Sequence, residues 1–311
     1  MRPFAAITCC LYDRCEIRRI DRGAFSHFRS LEYLDLSFNH IDHLAPEAFS
    51  GLPNLRTLRL DHNRVEALRP NCFAGLTLSI LRLDDNLIHD MDEHTFWDAA
   101  VETLNLDGNR IVRISGNNMS PLRRSLRNLT VSRNAVPLEV ASDAFVGFSF
   151  AALRVRSSGL RGVKFVEDLT AVGSLDLGGN PDLGGVALAW GAALALGCRE
   201  ARLDGIGLER FDASLATSLR SVRSLDLGAN QLRELDPSAF RPLADLRRLD
   251  LSRNSLERLQ ADFSRHLSAI QWINLSSNSI SAVETTALSG LTRLRWLDLS
   301  RNRIQVSVLL R

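Results

Sequence analysis

The chain is 311 residues long, 45% hydrophobic and 24% charged, with a formal net charge of +2. This is the balance of a soluble globular protein, without the basic excess that nucleic acid or an anionic membrane would require of a partner. The longest uncharged run, 183–198, is 16 residues and glycine-interrupted, short of the ~20 that a membrane span needs.

The N-terminal "MRPFAAITCC" carries one early arginine, but Cys9, Cys10 and Asp13 break its apolar run, so no secretory leader is visible. Three of the five cysteines, Cys9, Cys10 and Cys15, crowd this end. They suit a disulfide-bonded cap or small apolar core positions equally, and they leave both pairing and redox compartment open. From here onward one phrase recurs. Aligned on its last polar residue, it falls at Asn39, Asn63, Asn86, Asn109, Asn134, Ser158, Asn180, Ile206, Asn230, Asn254, Asn278 and Asn302. Apolar residues stand eight, five and three before each position and usually two after, as in Leu246, Leu249, Leu251 and Leu256. Cys15 begins the series in a degenerate first unit, 1–30, with Ile7, Cys10 and Ile17 at its apolar positions. About 13 units then make a single repeat domain over 1–311, without a C-terminal cap.

The period dictates the architecture. "LxL" reads as a short strand whose inward residues alternate with outward ones. No unit can bury its apolar side alone, so units stack and share one core beneath one parallel sheet. The asparagine follows the strand, where its side-chain amide can satisfy backbone groups left unpaired by a turn. Ser158 can do this only in part and Ile206 not at all, so both of their turns are expected to be irregular. Ten after the asparagine, Phe25 (counted from Cys15), Phe49, Phe73, Phe96 and Phe240 form a second register with Met119, Trp190 and Leu288. This reads as a core spine rather than a ligand-facing stripe.

The unit "LEYLDLSFNHIDHLAPEAFSGLPN" (31–54) resembles the 24-residue typical class of leucine-rich repeats, found mainly in animal extracellular proteins such as Toll receptors, Slit and chaoptin. The resemblance covers essentially the whole chain. It implies an α/β repeat solenoid: a horseshoe with the parallel sheet on its concave face and irregular, short helical or 3-10 segments on its convex face. It further implies protein recognition or adhesion, with secretion or surface display. The chain departs from that class in its cysteine spacing and in having no visible leader. An intracellular scaffold or adaptor is the alternative.

Ligands of such arcs meet the outward rows of the sheet, six, four and two before each asparagine. In the N-terminal units Arg59 and Arg82 stand beside Asp61, Asp84 and Asp107. The middle units contribute Arg154, Arg156 and Arg202, with Asp176 between Arg154 and Arg202. In the C-terminal units Trp272 and Trp296 occupy the same outward position consecutively, near Arg248, Asp250 and Asp298. One reading has these charges satisfying each other; the other makes the tryptophan pair a partner contact, because exposed tryptophan beside arginine is the make-up of an interaction hot spot.

Remaining chemistry is sparse. "HDMDEH" (89–94) collects metal-ligand types, but only Met91 points inward and the others form a solvated acidic turn. No phosphate-loop, dinucleotide, zinc-protease or nucleophile-elbow motif is present. No enzyme activity, metal or cofactor is expected. Sequons at Asn128 and Asn274 lie on the outward rows as acceptors for glycan, and Asn118, followed by "MSP", is a poor one. The stretch 159–207 holds 11 of the 19 glycines, consistent with a bend, a loop-bearing break or drift. The ending "IQVSVLLR" is apolar where a terminal unit needs a polar cover. The expectation is a chain that continues, or an end covered by a partner or by a second copy in homophilic, end-to-end association.

Overall fold

The computed structural model of the protein describes residues 7–134, 137–185 and 197–304. Two compact units divide it, 1–158 with 168–170 and 159–167 with 171–311. In the first, strands Cys9–Leu11, Tyr33–Asp35, Thr57–Arg59, Thr77–Arg82, Ala100–Asn105, Asn128–Thr130 and Ser149–Arg154 pair in chain order, all parallel. In the second, Ala171–Asp176, Glu200–Arg202, Ser224–Asp226, Arg248–Asp250, Trp272–Asn274 and Trp296–Asp298 do the same. Register never slips by one, because a slip would turn every inward leucine to solvent. Leu34 therefore faces Leu58, Leu58 faces Leu81, and Trp272 faces Trp296.

The chain is a parallel-strand solenoid, as the repeat period predicts. Opposite the sheet, the return segments form two-residue parallel ladders, such as Ala67–Leu68 with Asp90–Met91 and Arg258–Leu259 with Ala282–Val283. A short helix follows the ladder at Gly116–Met119, after Arg113–Ile114 pairs with Glu139–Val140, and short helices also form at Ala213–Ser218 and Pro237–Phe240.

The asparagines form the expected ladder. Asn63 accepts from the Ile41 amide at 3.0 Å and donates to the carbonyls of Leu36 and Leu60 at 2.9 and 3.0 Å. Asn86, Asn109, Asn230, Asn254 and Asn278 repeat this pattern. Asn39 and Asn134 join it, Asn180 accepts from the Leu160 amide, and the half-buried Asn302 bridges Ile280 and Leu275. Each side chain thus closes groups from two successive turns, at positions where an unpaired donor or acceptor would be buried.

The residue before each asparagine adopts a left-handed conformation: φ is 54° at Phe38, 56° at His62, 53° at Asp85, 52° at Ala229 and 55° at Arg253. Its amide binds a carbonyl of the next turn, as Phe38 binds Asp61 and Arg253 binds Ser276. The turns at Ser158 and Ile206 are irregular, as expected. Ser157 and Gly205 keep the left-handed geometry, with φ of 51° and 61°, but the residues one after the missing asparagine, Gly159 and Gly207, are left-handed too, at 63° and 80°, as Glu16 is after Cys15. Ser158 also keeps a bond to the preceding turn, its hydroxyl donating to Val131 at 3.2 Å. At Ile206 the turn before it changes as well. There Pro181–Leu183 forms a 3-10 turn, and backbone meets backbone. A Cβ on Gly184 would collide with the Gly207 carbonyl oxygen, and one on Gly207 with that of Pro181.

The aromatic register is core. Phe25, Phe49, Phe73 and Phe96 stack in sequence with ring centroids 6.2, 6.2 and 5.7 Å apart, and Met119 continues the line, fully buried. Phe145 and Phe263 belong to the core too, although their spacing puts them one residue off the register. Leu288 is only half-buried. Trp190 and the tail 305–311 lie outside the described residues.

Candidate functional site

The outward rows divide by chemistry. In the first unit, guanidinium groups sit among carboxylates. Arg59 Nε and Nη2 donate to the two oxygens of Asp61 at 3.0 Å each, while Nη1 reaches Asp35 at 3.0 Å. Arg82 grips Asp84 at 3.0 and 2.8 Å and stands 3.6 Å from Asp61. Asp35, Asp61 and Asp84 are buried, so these forked contacts compensate charges that would otherwise be costly to bury. Burial pushes the Asp61 carboxyl up, but the hydrogen bond from Arg59 and the charges of Arg82 and Arg59 outweigh it and hold the group below its ordinary range. Asp107 is engaged differently, accepting from the Thr130 hydroxyl and the Ser132 amide.

A second arrangement lies on the row just before the asparagines, which the repeat pattern did not mark. The Arg14 guanidinium stands 5.1 Å over Phe38, whose ring stacks on His62 at 4.1 Å. His62 Nδ1 lies 3.2 Å from Asp61 and Nε2 3.4 Å from Asp85. Asp61, His62 and Asp84 bring three ligand-type atoms within 4.8 Å of one another. Both carboxylates already hold guanidinium groups, which makes the cluster a poor cradle for a cation. The "HDMDEH" turn is open to solvent apart from Met91, and Asp92 accepts from the His94 amide at 2.8 Å.

In the second unit the tryptophan pair stands where its spacing places it. Trp272 and Trp296 stack with centroids 4.4 Å apart and planes within 2°, and the Arg248 guanidinium lies 3.8 Å over the other face of Trp272. Trp296 is 41% exposed. Side-chain planes so arranged have little rotamer freedom left to lose when a partner arrives.

Two residues further along the same strands, Asp250 accepts from the Ser252 amide at 2.9 Å and Asp298 from the Ser300 amide at 2.8 Å. Asp226 and Asn274 make the same turn-closing bond. This explains the recurring acidic residue: one oxygen caps the amide two residues on, as the strand ends. These side chains line a shallow trough of about 440 Å³ with Ser252, Ser276 and Ser300.

The other anticipated contact residues are not gathered at this stack. Arg202 pairs with Glu200 at 2.8 Å and lies 3.8 Å from Asp176. Arg154 is exposed at the end of its strand, and Arg156 is half-buried. Asn128 donates to Thr103 at 3.2 Å and Asn274 to Asp250 at 3.1 Å, so both sequon amides are engaged on the sheet face. Asn118 is buried, its side-chain oxygen accepting from the Ser115 amide. Among the described residues no helix is long and apolar enough to cross a membrane.

The family model described as Leucine rich repeat matches residues 13–65, 34–79, 53–111, 202–256 and 245–304. Among solved structures, the chain is similar to Toll in the Drosophila Toll–Spatzle complex, with a TM-score of 0.65 and 22% identity over 93% of this chain and 36% of that one. It is also similar to a leucine-rich repeat protein of Leptospira interrogans, with a TM-score of 0.59 and 17% identity over 94% and 78% of the two chains. The mouse RP105/MD-1 complex gives a TM-score of 0.56 and 20% identity over 94% and 58%. The chain therefore spans about a third of the Toll chain it matches. No curated protein sequence matches it.

Proposed function

The chain belongs to the leucine-rich repeat family, and from that premise we propose that it is a non-enzymatic recognition module of a secreted or cell-surface receptor or adhesion protein. Its partner is a protein, met on the solvent side of the parallel sheet. The family is typically a binding scaffold, and two structural neighbours are complexes, Toll with Spatzle and RP105 with MD-1.

The observation that carries the reading is the Arg248–Trp272–Trp296 stack. Tryptophan and arginine lead the residues that dominate binding energies at protein interfaces. Here they are ordered before any partner binds, and Asp250 and Asp298 stand beside them. Arg154, Arg156 and Arg202 lie on outward rows of other strands and belong to the periphery of this reading.

The test compares the parent chain with a Trp272→Ala/Trp296→Ala variant, both secreted from cultured cells and used to capture cell-surface proteins quantified by mass spectrometry. At least one partner should bind the variant roughly thirtyfold more weakly, the scale of a lost hot spot. The melting temperature should move little, since the removed rings pack on each other above the sheet rather than in the core. An identical partner set at equal yield removes the proposal. Glycan mapping at Asn128 and Asn274 on the same material reports whether either sequon is used.

A further inference from the structure

The two units treat their outward carboxylates differently. In the first, the row four before the asparagines runs Asp35, Arg59, Arg82, and Arg59 bridges Asp35 and Asp61 with three contacts of 3.0 Å. In the second, the same row runs Asp250, Asn274, Asp298 on consecutive strands. Asn274 thus occupies a slot like that of Arg59 but brings no charge. Its amide is tied to Asp250 on one side and the Ser276 amide on the other. Neither Asp250 nor Asp298 has an ion-pair partner among the described residues. Around this slot, Ser252, Ser276 and Ser300 line the trough as further side-chain acceptors, Asp204 and Asp226 add carboxylates and Arg253 and Arg301 two cations, and the ordered indoles of Trp272 and Trp296 stand alongside.

Resting on the recognition reading above, we propose that the trough over Asn274 takes an arginine side chain from an extended, basic segment of the partner protein, seated between Asp250 and Asp298 on the strands to either side. Strand spacing puts the two carboxylates about 10 Å apart, one strand on either side of Asn274. A guanidinium between them has carboxylate oxygens on both sides and serine hydroxyls below, a set that its five forked donors match better than the point charge of lysine. Charge complementarity selects this occupant, because the lining carries four carboxylates against the two guanidinium groups of Arg253 and Arg301 and so stays acidic.

The probe is a labelled, end-capped peptide with arginine spaced by glycine and serine, followed by fluorescence anisotropy with the full chain. Matched peptides carry lysine or glutamate at the same positions. The arginine peptide should bind, weaken as salt rises, and bind several-fold better than the lysine peptide; the glutamate peptide should not bind. Asp250→Asn/Asp298→Asn should weaken the arginine peptide at least tenfold. Asparagine retains the oxygen that caps the turn, as Asn274 and Asn105 do in this chain, so folding is kept and circular dichroism checks it. Equal binding of the arginine and glutamate peptides, or no effect of the double substitution, overturns the inference. Partner capture lost in Trp272→Ala/Trp296→Ala without arginine-peptide binding leaves the recognition surface standing and removes only the arginine. Capture unchanged in that variant removes the surface itself.

Discussion

Asp61 shows how one residue's environment becomes a measurable property. Its carboxylate is buried, yet forked hydrogen bonds from Arg59 and the nearby Arg82 charge keep it ionised. A group whose folded-state pKa lies below its unfolded value adds stability that is fully present above the unfolded value, here the ordinary 3.8, and that is lost as pH falls through the folded one. Urea midpoints should therefore drop between pH 7 and pH 3, and Asp61→Asn should lower the pH 7 midpoint while flattening that dependence. A parent-like slope in the variant excludes Asp61 as a source of acid sensitivity. At this scale the sequence was informative about identity and less so about partners. It placed Arg59 and Arg82 among Asp61, Asp84 and Asp107, but Asp107 is held by Thr130 and Ser132 instead. That preference depends on rotamers and hydroxyl positions, which no spacing encodes. The turn-capping bonds of Asp226, Asp250 and Asp298 were hidden for a related reason. A carboxylate on an outward row reads as a surface charge until its neighbour two residues on is seen to need an acceptor.

The element that repeats is a strand closed by a left-handed residue and an asparagine. The strand and the asparagine were legible because their periods are set by the inward face and by a buried amide. The left-handed residue was not, since Phe38, Ala229 and Arg253 are not residues that signal positive φ. The conformation is imposed from outside, by a hydrogen bond to the next turn that outweighs a local cost of roughly 1–2 kcal/mol. Glycine becomes obligatory only where space also runs out. Gly75 and Gly207 have similar φ, 74° and 80°, but a Cβ on Gly75 meets nothing within 4 Å whereas one on Gly207 meets the Pro181 carbonyl. Gly75→Ala should cost about 1 kcal/mol. Gly207→Ala should cost several kcal/mol, since a backbone must also move. Equal losses of melting temperature would show that the close contact at Gly207 relaxes freely. The glycine-rich stretch was thus visible in the sequence, while its reason was not: near Ile206, where no asparagine bridges the turns, two backbones approach directly.

Across the whole molecule, energy is passed between neighbours rather than through a single central core. Each turn buries its leucines against the turns before and after, so damage should stay local in the manner of a one-dimensional array. Asn254→Ala would leave the Leu232 amide unpaired in the interior and take one of two donors from the Leu227 and Leu251 carbonyls, which keep Asn230 and Asn278, at a cost of roughly 2 kcal/mol. Hydrogen exchange should accelerate for amides at 225–280 and stay unchanged at 31–106; uniform acceleration would mean that the array opens as one body. The same ladder bears on how such a chain is inherited. In the last turns every asparagine reaches back by constant offsets, 22 residues to its donor and 27 to its acceptor, at Asn254, Asn278 and Asn302 alike. A stretch of gene encoding one 24-residue block, copied in frame beside itself, would deliver a turn whose donors and acceptors already stand at the right separation. Lengthening by tandem duplication then needs no compensating mutation, and selection is free to act at once on the outward side chains of the new copy.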